Sequence, residues 1–315
     1  MKLGLIGGRN CRSKLEWFWW FNEKFYEFLL QKGFDAEFLT HSSTKNRSGW
    51  WQYELFGHKT SFNPNNLLLV NQKSEKVVVF STFYDLSMLT GGYCDLPREQ
   101  LLALYSGHYD DFIVNRDVRE DIRHKVKPWY FRPWNWEDQY PMNCYNPKND
   151  SIYFRGLYIT TVRDLIVRLQ SREEEGVDIR AGKEKNWKEK MCEARLCFSM
   201  SGIRDMCNRD IEYWRAGVPF IRPRFTSKLL VDIPDDTYIP VEWDQNYTKT
   251  RTPVPRDLEK LTDDVIEKYK EVKDNKKMLS KIANNGHNFY KEYFTLEKIM
   301  ENSFSLLEKS GFLEQ

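Results

Sequence analysis

The chain has no apolar run approaching the ~18–20 residues needed to cross a bilayer, so it does not read as a helical membrane protein. It also lacks closely spaced cysteine pairs. The six, Cys11, Cys94, Cys144, Cys192, Cys197 and Cys207, form no CxxC and have no histidine at ligand spacing. Neither a zinc site nor a disulfide framework is expected, and the cysteines read as buried thiols of a cytoplasmic protein. The five histidines are dispersed, without HExxH, and no GxSxG, P-loop or complete GxGxxG occurs. Hydrolase, NTPase and dehydrogenase chemistry thus lose their usual anchors. An excess of one charge is missing too: 48 basic and 46 acidic residues leave a net +2, too little to suggest a nucleic-acid partner.

Aromatic side chains, by contrast, are abundant, at 15% with 11 Trp. Either the core is rich in rings, or some rings are left to face a ligand. A length of 315 residues predicts two domains. The opening MKLGLIGGRNC has one lysine and a short apolar run before glycines, which suits a first β-strand better than a secretion signal.

Strand, glycine turn and amphipathic helix follow one another through KLGLIGG and SKLEWFWWFNEKFYEFLLQKG, and DAEFL resumes as a strand. This βαβ opening predicts a parallel sheet. NLLLVN and KVVVFST read as strands, LPREQLLALYSGHY as a helix entered at Pro97, and DDFIVN as a strand. The aperiodic stretch from Lys125 to Asp150 reads as a crossing between domains. A second βα series begins at SIYFRGLY and runs through TTVRDLIVRLQSR, VDIRAG, ARLCFSM, VPFIRP and TYIPV to charged C-terminal helices. The expected fold is α/β, with two Rossmann-like domains facing a cleft. Residues 1–147 form the acceptor domain and 148–315 the donor domain, and the last helices cross back to the first.

The stretch SMSGIRDMCNRDIEYWRAG places a Ser/Gly loop, Ser201 and Gly202, between a strand and a helix that Asn208 is expected to cap. A helix N-terminus favours phosphate, and Arg209 in its first turn adds a bidentate fork. Glu212 and Tyr213 share that helix face. The carboxylate could accept from sugar or ribose hydroxyls and the ring could pack on a ligand, or Arg209 and Glu212 form a structural pair. Arg155 stands at the end of a buried strand, where its charge must face the cleft or an anion. Two arginines from neighbouring βα units would then converge on one pyrophosphate.

IYFRG, SGIRDMCNRDIEYWRAGVPFIRP, TYIPV and KIANNGHNFYKEYF resemble, in order and spacing over residues 151–295, the C-terminal half of GT-B glycosyltransferases. The likeness is to the capsule-associated and protein O-glucosyltransferase group (family 90-like) and exostosin-like relatives. It implies a nucleotide-diphosphate sugar as co-substrate, held by Arg155 and Arg209, without a metal or other cofactor. It also implies a glycan or glycoprotein acceptor and inversion at the transferred sugar. In such enzymes an aspartate of the N-terminal half is the base; Asp85, just past KVVVF, holds the corresponding place. Gly7, Gly8 and Arg9 form a loop expected to meet phosphate or acceptor. The alternative is a carbohydrate- or nucleotide-binding protein with the same fold and no working base.

Overall fold

Alternating apolar and amphipathic stretches produce α/β structure throughout. The computed structural model describes residues 2–6, 16–39, 51–62, 66–81, 99–130, 141–156, 163–172, 176–182, 184–201, 205–249 and 252–314. The chain divides into two units. One comprises Met1–Asn135, Lys228–Val231 and Leu296–Gln315, the other Trp136–Ser227 and Asp232–Thr295.

In the first unit, β1 (Lys2–Ile6), α1 (Glu16–Gln31) and β2 (Asp35–Phe38) form the expected βαβ opening, with β1 and β2 parallel. Gly33, at φ +84°, takes the left-handed turn that ends the helix. A hairpin, β3 (Trp51–Leu55) and β4 (His58–Phe62), follows unforeseen. β5 (Asn66–Asn71), β6 (Lys76–Ser81), β7 (Leu101–Ser106) and β8 (Val126–Pro128) complete a sheet ordered β2-β1-β5-β6-β7-β8. The sheet is mixed, not parallel, because β5 runs antiparallel to both β1 and β6. The turn from Asn71 to Lys76 is too short for the crossover that a parallel pair would need.

Two elements exchange their expected types. LLALYS is strand β7, buried along almost its whole length and parallel to β6, not a helix. Burial on both faces erases the period-2 signal, so a central strand looks like any apolar run. DFIVNRD is helix α2 (Asp111–Asp117), because Asp110 caps it by accepting from the N–H groups of Phe112 and Ile113. A one-turn helix α3 (Glu120–Arg123) precedes β8.

The second unit contains β9 (Ile152–Gly156), α4 (Arg163–Ser171), β10 (Val177–Ala181), α5 (Trp187–Glu193), β11 (Leu196–Phe198), α6 (Asn208–Ala216), β12 (Phe220–Pro223) and β13 (Ile239–Val241). These strands make an all-parallel sheet ordered β10-β9-β11-β12-β13, the doubly wound pattern. A ribbon, β14 (Gln245–Tyr247) with β15 (Pro253–Pro255), leads to α7 (Leu258–Val272) and α8 (Lys276–Tyr293). Ile152, Phe154, Leu169, Ile221 and Val265 lie at the centre of its core. The last helix, α9 (Leu296–Lys309), belongs to the first unit. Among the described residues no helix is long and apolar enough to cross a membrane.

Residues 136–147, expected with the N-terminal domain, are part of the second unit. Asn143 N–H donates to Arg215 O (3.2 Å) and Cys144 N–H to Ala216 O (2.8 Å), pinning the segment to the end of α6. Cys144 and Cys192 form a disulfide, which corrects the expectation of scattered thiols. Their spacing of 48 residues carries no motif, so only the fold brings them together. Cys197 and Cys207 are free.

Candidate functional site

In the second unit the chain leaves β9 for β10 on one side and then returns to β11 on the other. The strand order therefore reverses between β9 and β11, and in such sheets ligands bind beyond the strand C-termini at that reversal. Arg155 ends β9. Ser199 to Ser201 leave β11, and α6 begins shortly after.

The α6 N-terminus is built differently from the sequence expectation. Cys207, not Asn208, is the N-cap, and Asp210 accepts its N–H at 2.8 Å. Asp210 also accepts from Ser199 Oγ (2.6 Å) and from Arg222 Nη1 (3.0 Å). Burial pushes its carboxyl pKa up, opposed by Arg222 and these hydrogen bonds. The Arg222 guanidinium and the two other donors favour the ionised carboxylate against that burial. Arg222, fully buried, reaches Asp205 Oδ1 at 2.7 Å as well, and Asp205 Oδ2 accepts from the N–H groups of Thr226 and Ser227. Burial opposes the guanidinium charge, yet the two carboxylates hold its pKa above the ordinary value. Sequence reasoning missed this network because Arg222 sits in VPFIRP, read as an apolar strand. It fixes the loops after β11 and β12 to the helix start.

Arg209 reaches back across the reversal: Nη2 donates to Arg155 O at 2.7 Å, while Nη1 pairs with Glu212 Oε2 at 2.5 Å. Its guanidinium lies 4.6 Å from the Trp187 ring centre. The Arg209 side chain keeps 19% exposure and Glu212 5%, so the pair is mostly buried, with the remaining exposure on the arginine. Trp187, at the start of α5, carried no sequence signal beyond being one of many tryptophans. In the connection from β11 to α6, the Oγ of Ser201, itself 4% exposed, finds no hydrogen-bond partner among the described residues, and neither does Asn208 Oδ1 at the start of α6. A buried hydroxyl without a partner costs free energy in the empty protein and offers itself to a polar ligand.

Arg155 is placed otherwise than expected. Its three guanidinium nitrogens are turned inward: Nη1 to Phe154 O and Asp178 O, Nη2 to Asp178 Oδ1 (2.8 Å), and Nε to Glu184 Oε2 (3.2 Å). Strand pairing sets Arg155 opposite Arg180, two residues from Asp178, which brings that carboxylate within reach. Glu184 also accepts from Tyr153 OH and pairs with Lys190 Nζ, and the Lys190 hydrogen bond leads in holding its carboxyl below the usual range.

Tyr213, expected to meet a ring, is a core residue. It has no exposure, its hydroxyl donates to Phe198 O at 3.0 Å, and its ring packs on Phe220. Gly202, Gly7, Gly8, Arg9 and Asp85 lie outside the described residues. The structure thus joins Arg209 to Glu212 and to the Arg155 carbonyl, with Asn208 the residue before it on α6.

No protein-family model matches the chain, and no curated protein matches it. Solved structures similar to it include TarM, at 10% identity over 84% of this chain and 67% of that one, with a TM-score of 0.37. A glycosyltransferase from Rickettsia africae ESF-5 is 11% identical over 90% of this chain and 73% of its own, with a TM-score of 0.41. The GtfA/B complex is 11% identical over 76% of this chain and 54% of that one, with a TM-score of 0.40.

Proposed function

We propose that the chain is an inverting glycosyltransferase. It moves a sugar from a nucleoside-diphosphate sugar to a hydroxyl of a glycan or glycoprotein, without a metal. The observation that carries this reading is the polar group at the sheet's reversal point. There Arg209, in the first turn of α6 and stacked on Trp187, follows the unpartnered Asn208 Oδ1, and the buried Ser201 hydroxyl, also unpartnered, lies in the connection from β11 to that helix. A guanidinium, a hydroxyl and the positive end of a helix dipole together suit a diphosphate. Asn208 Oδ1 adds an acceptor for a sugar or ribose hydroxyl.

The motif resemblance over residues 151–295 supplies the reaction class. In this reading Arg209 is the diphosphate clamp, and Arg155 positions it through its carbonyl, a narrower role than two converging guanidinium groups. Glu212 fixes the plane of Arg209. Asp85 takes the proton of the acceptor hydroxyl as that oxygen attacks the anomeric carbon from the face opposite the diphosphate. The bond from the anomeric carbon to the phosphate oxygen breaks, and the leaving charge falls on Arg209.

Calorimetric titration with ADP, CDP, GDP and UDP tests the binding half. One of them should bind, and Arg209→Ala should weaken it roughly tenfold to a hundredfold, as a charge-assisted hydrogen bond does. Asp85→Asn should leave that affinity in place and abolish transfer. Failure of all four nucleotides to bind, or equal affinity in Arg209→Ala, would overturn the reading.

A further inference from the structure

We infer that the Cys144–Cys192 disulfide is a redox-responsive lock on α5: its reduction by a dithiol frees that helix and, through Trp187, loosens Arg209. The consequence for ligand binding rests on the reading of Arg209 as the diphosphate clamp.

Helix α5 spans Trp187–Glu193, too short to hold itself together, so its order comes from its attachments. At its start, Trp187 lies against Arg209 (4.6 Å), and Lys190 Nζ pairs with Glu184, the carboxylate that also meets Arg155. Its own Met191 is fully buried. At its end the segment 143–149 runs alongside as a strap. Asn146 N–H donates to Cys192 O and Lys148 N–H to Glu193 O, both at 2.8 Å. The strap's other attachment is the end of α6, through Arg215 O and Ala216 O, and α6 is the helix whose first turn carries Arg209. Thus α5 and α6 are joined twice: at their starts by the Trp187–Arg209 stack, at their ends by the strap. The disulfide is the covalent member of that second join.

The bond is also reachable. A cavity of about 370 Å³ opens on it, lined by Pro141, Cys144, Lys148, Lys188 and Cys192 among others. The free thiols are placed differently. Cys197 has no exposure, and burial pushes its thiol pKa up; burial also pushes Cys207 up to about 12. A dithiol reduces the bond in two exchanges. Its thiolate attacks one sulfur and breaks the S–S bond, and its second thiol then displaces that sulfur from the mixed disulfide. Two electrons and two protons pass to Cys144 and Cys192, and the dithiol leaves as a cyclic disulfide.

The test is hydrogen exchange on the full chain without ligand, air-oxidised, reduced with dithiothreitol and re-oxidised. A titration with the best-binding nucleoside diphosphate accompanies each state. Reduction should speed exchange about tenfold in 187–193 and in the first turn of α6, reversibly, and weaken the nucleotide to a similar degree. Cys144→Ser/Cys192→Ser should be fast already and indifferent to dithiothreitol. If that variant does not fold, the reduction and re-oxidation cycle of the unmodified chain gives the same answer. Faster exchange with no nucleotide bound in any state supports the lock and removes only the donor reading. Unchanged exchange in 187–193, titratable thiols at Cys144 and Cys192 before reduction, or equal nucleotide affinity in both states would overturn the lock.

Discussion

At the residue scale the most consequential side chain is Arg222. It is wholly buried, stacked over Phe225 and bound to two carboxylates, Asp205 and Asp210. A buried ion pair adds little net stability, but removing one partner strands the other in a medium that cannot solvate it. Asp205 also receives two backbone N–H groups from the loop after β12, so its loss takes a buried carboxylate from three donors at once. Asp205→Ala is therefore expected to lower unfolding stability by about 3–5 kcal/mol. Urea denaturation measures this. A loss under about 1 kcal/mol would mean that the network is not the bracket of the site. The place of Arg209 in the first turn of a helix was legible in the sequence, because a strand, a Ser/Gly loop and an amphipathic run follow one another there. Arg222 was not, because charge compensation across separate loops leaves no local pattern. Tyr213 was misread for a related reason: spacing gives the face of a helix, but not which face turns to the core.

At the scale of elements, α6 is held by its ends and by α8. Gly217 follows its last residue at φ +63°, a left-handed position that accepts glycine and strains other residues. VPFIRP can then turn back into the sheet at once. Gly286 on α8 lets that helix lie close: a Cβ there would stand 2.9 Å from Trp214 Cδ1 and 3.0 Å from Thr237 O. The backbone carbonyl cannot move aside cheaply, since it accepts from Trp214 Nε1 at 3.1 Å. Gly286→Ala should thus cost about 1–3 kcal/mol despite the higher helix propensity of alanine. Equilibrium unfolding with alanine at 286 gives the value, and a gain in stability would contradict this packing. Gly286 was hidden in KIANNGHNFY, where an amphipathic helix was legible but its closest approach was not. The β7 and α2 exchange shows the same limit. Strand LLALYS has no alternation because both its faces are covered, whereas DDFIVN betrayed its helix only through the capping aspartate.

For the whole molecule, the chain's last helix decides which part depends on its final residues. α9 serves the first unit: Trp129 Nε1 donates to Ser303 Oγ at 3.0 Å, and Asn302 Nδ2 to Tyr130 OH at 2.6 Å. Phe304 packs edge-on against Phe28 and tilted against Phe34, and Asn71 Nδ2 reaches Phe312 O at 2.9 Å. Each contact joins residues far apart in sequence, so the first unit closes only when α9 and the residues up to Phe312 are in place. The elements of the second unit all precede Leu296. Ending the chain at Thr295 should therefore expose Trp129 and Tyr130 and unfold the first unit, while α6, the parallel sheet and the Arg222 network keep their protection. Hydrogen exchange by peptide separates the cases. Rapid exchange in 66–81 and 101–106 with slow exchange in 196–198 and 208–216 is expected. Uniform loss across both units would show that their stabilities are coupled, and retained protection in 66–81 would show that α9 is dispensable to the sheet it covers.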